Sequence, residues 1–166
     1  QQCDPVLTVE MMRLLSEAAG AAGMCGGQAI DLASVGKSLT VNELENMHRL
    51  KTGALLTASV FLGAYCSKIP TEQEKNALNA YAKAIGLAFQ VVDDILDVTA
   101  DSADLGKTAG KDSADNKPTY VSLLGLEESR QLAEKLRNDA YAALSIFDEK
   151  ADYLRQLADL VVRRKK

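Results

Sequence analysis

The sequence predicts an all-helical fold, on three observations. Alanine is its commonest residue, 24 of 166, and alanine is the strongest helix former. Apolar residues recur at intervals of three and four, the period of a helix face, instead of the interval of two that marks a strand. Aromatic residues make up only 5% of the chain, which removes much of the bulk that strands favour.

The elements follow in order. Thr8 is placed to cap a first helix, because an amphipathic stretch through Met11, Met12, Leu14, Leu15, Ala18 and Ala22 comes after it. Gly20, Gly23, Gly26 and Gly27 would each cost a helix about 1 kcal/mol relative to alanine. This stretch therefore either breaks or packs closely on a neighbour, and both outcomes bring backbones together. Gln28 and Asp31 follow at helical spacing, as they would at a helix end. Thr40 with Glu43, and Thr71 with Glu74, match the capping box, which predicts helices over 41–66 and 71–99. Between Val98 and Pro118 the apolar period disappears among Gly106, Gly110, Asn116 and several Asp and Lys residues. A loop this long inside a compact domain is often functional. A short helix after Pro118, a longer one over 126–147 and a last one over 151–163 complete a single domain without internal repeats.

Composition excludes several functions. Hydrophobic residues at 47% and charged residues at 25% describe a soluble globular chain. It has no uncharged apolar run of about 18 residues, so no transmembrane segment is expected. A net charge of -4 argues against nucleic acid as a partner, since phosphate-backbone affinity comes from many Lys and Arg. The single His48 and the scattered Cys3, Cys25 and Cys66 supply neither a Cys/His zinc site nor a CxxC redox pair. Three unframed cysteines fit reduced thiols in the cytoplasm better than a secreted disulfide scaffold.

The chemistry concentrates in Phe89, Gln90, Val91, Val92, Asp93, Asp94, Ile95, Leu96, Asp97 and Val98. On a helix Asp93 and Asp97 stand one turn and about 6 Å apart, with Asp94 about 100° around, so the three carboxylates are expected to converge on one cavity mouth. On spacing alone a solvated acidic stripe fits equally well. Apolar flanks leave little room for such a stripe, and Gly106, Lys107, Gly110 and Lys111 follow closely. Carboxylates for a hard cation, Mg²⁺ first, together with lysines for uncovered phosphate oxygens, suit a metal-bound diphosphate. Lys51 with Thr52 sits among Leu50, Leu55 and Leu56, where alone it would read as a lysine snorkelling over apolar surface.

Five ordered segments together resemble the second half of the trans-isoprenyl diphosphate synthases (polyprenyl synthetases), bacterial farnesyl type. They are GMCGGQAIDL at 23–32, HRLKTGALL at 48–56, GLAFQVVDDILDVT at 86–99, LGKTAGKD at 105–112 and KPTY at 117–120. The resemblance implies the isoprenoid synthase helical bundle, with residues 1–166 as the C-terminal portion of one domain. It implies a prenyltransferase that joins an allylic diphosphate to isopentenyl diphosphate head to tail, with Mg²⁺ as cofactor and Mn²⁺ as a substitute. Asp93, Asp94 and Asp97 match the second aspartate-rich motif, which holds the metal. Lys51 and Lys107 match lysines on the allylic diphosphate, and Thr52 accompanies Lys51. Gln90 helps frame the metal site, Phe89 and Gln28 match residues lining the reacting prenyl groups, and Asp31 matches a polar neighbour of Gln28. Lys51, Asp93 and Lys107 carry the expected catalysis, by stabilising the leaving diphosphate. Arg163, Arg164, Lys165 and Lys166 resemble a basic tail that can close over the site, although a frayed solvated terminus suits them better.

The family's first aspartate-rich motif, its Gly-Gly-Lys-Arg-type element and its product-length residues do not occur in this sequence. Negligible synthase activity is therefore expected of the chain alone, along with apolar faces that the other half would cover. The parent enzymes are typically homodimers. A non-catalytic subunit of a heteromeric synthase, or a helical interaction module, would not require the carboxylate row and the lysines. Val121 after KPTY, where the family often has Pro, is a mild departure.

Overall fold

The computed structural model describes residues 4–99 and 118–164, and among these every regular element is a helix. Helix α1 spans Pro5–Ala19. Its cap is Asp4 and not the expected Thr8: the Asp4 carboxylate accepts the Val6 N–H at 2.9 Å. Pro5 fills the first turn, where its missing N–H costs nothing. Thr8 lies one turn inside, with its hydroxyl donating back to the Asp4 carbonyl. The glycines both break and pack. A turn follows Ala19, and α2 then spans Met24–Ser34 with Gly27 buried inside it.

The Thr40–Glu43 capping box is present in both directions and starts α3, Val41–His48. The single helix expected over 41–66 is divided. A five-residue π turn, Arg49–Gly53, separates α3 from α4, Ala54–Ser67. The Thr71–Glu74 box opens α5, Glu72–Thr99, as expected. The polar loop and Lys107 lie outside the described residues. Thr119 and Ser122 form a third reciprocal cap, for α6, Tyr120–Leu124. Gly125 joins α6 to α7, Leu126–Ala143, at φ +91°, a left-handed conformation that suits glycine. The expected helix to 147 gives way to 3₁₀ turns at Leu144–Ile146 and Glu149–Ala151, and α8 is Asp152–Arg163.

Helix α5, about 42 Å long at the usual rise, is the centre of the bundle and packs most extensively on α7. Tyr81, Ile85 and Val91 meet Leu136, Ala140, Ala158 and Val161 in one core. Alanine at 88, 140 and 158, fully shielded from solvent, lets helices approach closely. Polar contacts fix α8. Tyr81 donates its hydroxyl to the Leu154 carbonyl at 2.8 Å. Arg155 donates to the carbonyls of Leu144, Phe147 and Asp148, and Arg137 and Tyr141 grip the two oxygens of Asp159. These anchors set where the end of α8 falls against α5.

Val6, Val9, Met12 and Leu15 form an exposed apolar stripe along α1, in keeping with the uncovered faces expected above. Among the described residues no helix is long and apolar enough to cross a membrane. Cys25 and Cys66 are exposed and free.

Candidate functional site

Two close backbone approaches build the site. At Gly27 of α2 an added methyl would lie 2.5 Å from the Lys51 Cα and closer still to its amide nitrogen. Only glycine lets α2 sit this near the π turn. At Gly86 of α5 a methyl would meet the Gly53 Cα at 3.3 Å, so α5 closes on the same turn from the other side. The turn carrying Lys51 and Thr52 is thus clamped between α2 and α5. A π turn fits one extra residue into a helical turn and often marks a functional site.

Within this clamp the Lys51 ammonium pairs with Asp31 at 2.7 Å, the two side chains 32% and 15% exposed. Residues 20 apart in sequence thereby become one charged unit at the junction of α2 and the π turn. Gln28, one residue beyond the Gly27 contact, is exposed, and Thr52 is half-buried.

The three aspartates do not converge as expected. Asp93 points to solvent and Asp97 is half-buried, whereas Asp94, turned about 100° from Asp93, faces inward with 6% exposure. Its Oδ2 accepts the Tyr120 backbone N–H at 2.7 Å. Among the described residues no group of three carboxylate, imidazole or thiolate side chains forms a metal cluster. Gln90 is buried beside the row, and Phe89 is half-buried one residue before it.

His48 joins the two parts. Its ring stacks on Tyr120 with centroids 5.8 Å apart, and Tyr120 is the residue held by Asp94. The imidazole lies within electrostatic reach of Lys51, Asp31 and Asp93 together. Burial, joined by Lys51 and opposed by Asp31, Gln90 and Asp93, pushes its pKa down to about 4. The ring is therefore neutral at physiological pH. Gln90 lies nearby, but neither ring nitrogen has a partner at hydrogen-bond geometry among the described residues. Burial likewise pushes the Tyr120 phenol pKa up.

Sequence reasoning gave Arg164 little weight, and the structure folds it into the site. Its guanidinium meets the Asp93 Oδ1 at 2.6 Å and the Phe89 carbonyl at 3.0 Å, and it stands 4.1 Å over the Phe89 ring. Asp93 thus already takes a cation. The acidic side offered here fits Mg²⁺, which commonly binds one or two carboxylates and completes its shell with water and phosphate oxygens. No local pattern pointed to His48 beyond its being the only histidine, or to Arg164 beyond its place in a basic tail.

Known proteins share the sequence and the helical bundle. The model of the polyprenyl synthetase family matches residues 2–156. Farnesyl diphosphate synthase of Escherichia coli is 46% identical over 161 residues, which is 95% of this chain and 54% of that protein. A crystal structure of a putative farnesyl-diphosphate synthase from Marinomonas superposes with a TM-score of 0.82 at 40% identity, covering 97% of this chain and 54% of that one. A geranyltransferase from Helicobacter pylori, complexed with magnesium and isoprenyl diphosphate, superposes with a TM-score of 0.81 at 34% identity over 96% of this chain and 52% of its own. The chain spans about half the length of the curated relatives it matches. With a family model over nearly the whole chain and the bundle shared with solved synthases, this chain belongs to the polyprenyl synthetase family.

Proposed function

We propose that this chain is the second half of the site of a short-chain isoprenyl diphosphate synthase, which joins an allylic diphosphate to isopentenyl diphosphate and yields farnesyl diphosphate. The observation that carries the reading is the convergence on His48: Lys51 with its partner Asp31, and Asp93, all act on one half-buried imidazole. The lysine expected on the diphosphate and the first aspartate of the acidic row thus share one locality, although 42 positions separate them.

Asp93 and Asp97 would hold Mg²⁺, or Mn²⁺ in its place. Asp94, with one oxygen committed to Tyr120, supports the row from behind. The bound metal supplies Lewis-acid stabilisation of the departing diphosphate. Lys51, held in reach by Asp31, places an ammonium against oxygens the metal leaves uncovered, so positive charge stands in advance where negative charge develops. Lys107 serves the same diphosphate. Thr52 accompanies Lys51 at the diphosphate, Gln90 frames the metal site, and Gln28 and Phe89 line the reacting prenyl groups. The C–O bond of the allylic diphosphate breaks with its electron pair leaving on the diphosphate. The double bond of isopentenyl diphosphate then attacks the allylic cation, and a proton is lost.

The partner substrate's binding element and the facing aspartates belong to sequence not present here, so the chain by itself supplies one wall of the site. Cytoplasmic location and a homodimeric parent enzyme belong to the same proposal, supported by free, exposed Cys25 and Cys66 and by the family. Incubating the purified 166-residue chain with geranyl diphosphate, isopentenyl diphosphate and Mg²⁺ should yield no farnesyl diphosphate above background. Sustained turnover by the chain alone would overturn the half-site reading.

A further inference from the structure

We propose that Arg164 is a further residue of this site: an internal cation seated on Asp93 that exchanges with the divalent metal and so sets the metal affinity. The inference rests on the reading of Asp93 as a metal ligand and adds the competitor for it. Three contacts define the seat. One guanidinium nitrogen, Nη2, bridges the Asp93 Oδ1 at 2.6 Å and the Phe89 carbonyl at 3.0 Å, and the guanidinium carbon stands 4.1 Å over the Phe89 ring. The arginine side chain is only 18% exposed, against 48% for its carboxylate partner. Its Nε is buried without a hydrogen-bond partner among the described residues. A solvated tail would leave none of this.

The placement is built by the fold. Arg164 follows directly on α8, and α8 is held to the bundle by Tyr81, Arg155 and the Asp159 pair described above. The arginine is thus delivered across 71 positions of sequence by an anchored helix. A guanidinium and a divalent ion drawn to one carboxylate repel each other at close range, so binding of one weakens the hold of the other. The contacts to Phe89 do not involve Asp93, so they can hold the arginine beside the site once the carboxylate is surrendered. There it remains a donor for the oxygens of a metal-bound anion.

The test is Mn²⁺ binding to the 166-residue chain, read by the paramagnetic signal of free Mn²⁺. Four proteins are compared: wild type, Arg164→Gln, Arg164→Lys and Asp93→Asn. Loss of the competitor in Arg164→Gln should tighten Mn²⁺ binding about three- to fivefold, the size expected of a half-exposed ion pair, while Arg164→Lys, which keeps the charge, stays close to wild type. Asp93→Asn should weaken binding. If Asp93→Asn weakens binding but Arg164→Gln matches or falls below wild type, the exchange is overturned and the metal reading stands. If Asp93→Asn binds as wild type does, both fall. A second readout needs no variant: the side-chain NMR signals of Arg164 should move in step with Mg²⁺ saturation, and signals unmoved at saturating metal would overturn the proposal.

Discussion

Replacing Gly27 by alanine tests the joint that positions Lys51. The added methyl would sit 2.5 Å from the Lys51 Cα, short by 0.9 Å of the 3.4 Å at which ordinary contact begins, and shorter still to the amide nitrogen. Both obstacles are backbone atoms, so no rotamer change relieves them, and α2 must move off the π turn by about that distance. A gap of 0.5–1 Å forfeits about a quarter to a half of each dispersion contact, and overpacking a closed interface costs about 1–3 kcal/mol. Alanine's helix preference returns about 1 kcal/mol. With rigid atoms on the far side the cost belongs at the upper end, leaving a net loss of about 2 kcal/mol. Gly63 of α4 is the control, since nothing lies within 4 Å of a methyl there. Gly63→Ala should stabilise the chain by up to about 1 kcal/mol. Thermal melts should separate the two variants by about 6–12 °C, at about 2–4 °C per kcal/mol for a chain of this size. Equal melting temperatures would refute the close approach as the reason for glycine at 27.

Two further outcomes follow from the same geometry. Asp94→Ala leaves the buried Tyr120 N–H without its acceptor and should cost about 1–3 kcal/mol in urea unfolding, whereas Asp93→Ala, on the solvent side, should cost about 1 kcal/mol or less. Similar losses for both would mean that Asp94 does not anchor α6. The folded-state pKa of His48, about 4, lies below its ordinary value of 6.5. Between these values the unfolded chain binds the proton more readily, so the stability His48 contributes is complete above pH 6.5 and declines as pH falls. The loss reaches about 3 kcal/mol by pH 4, at 1.36 kcal/mol per pH unit. His48→Phe, which preserves a ring against Tyr120, should remove this component, and identical pH profiles for variant and wild type would contradict it.

Much of the fold was legible because its signals are local. Thr40 with Glu43 and Thr71 with Glu74 mark helix starts within four residues, and both boxes form. Thr8 misled because Asp4 and Pro5, an aspartate before a proline, make the stronger start one turn earlier. The π turn was not legible, since Arg49–Gly53 carries no residue pattern that distinguishes it from an ordinary turn; it packs against Gly27 and Gly86, distant in sequence. The carboxylate row shows the same division. Helical spacing correctly set Asp94 around the helix from Asp93, but its inward contact with Tyr120, 26 residues on, is set by the tertiary fold. Arg164 and Asp93 meet because α8 is docked by contacts that no local pattern announces.

The central claim is that Lys51 and the Asp93 row form one metal-dependent diphosphate site. Calorimetric titration of the chain with geranyl diphosphate, with and without Mg²⁺, and again with Asp93→Asn, tests it most directly. The account predicts binding that requires Mg²⁺ and weakens about tenfold or more in the variant. Binding that is equally tight without metal, or unchanged by Asp93→Asn, would contradict it.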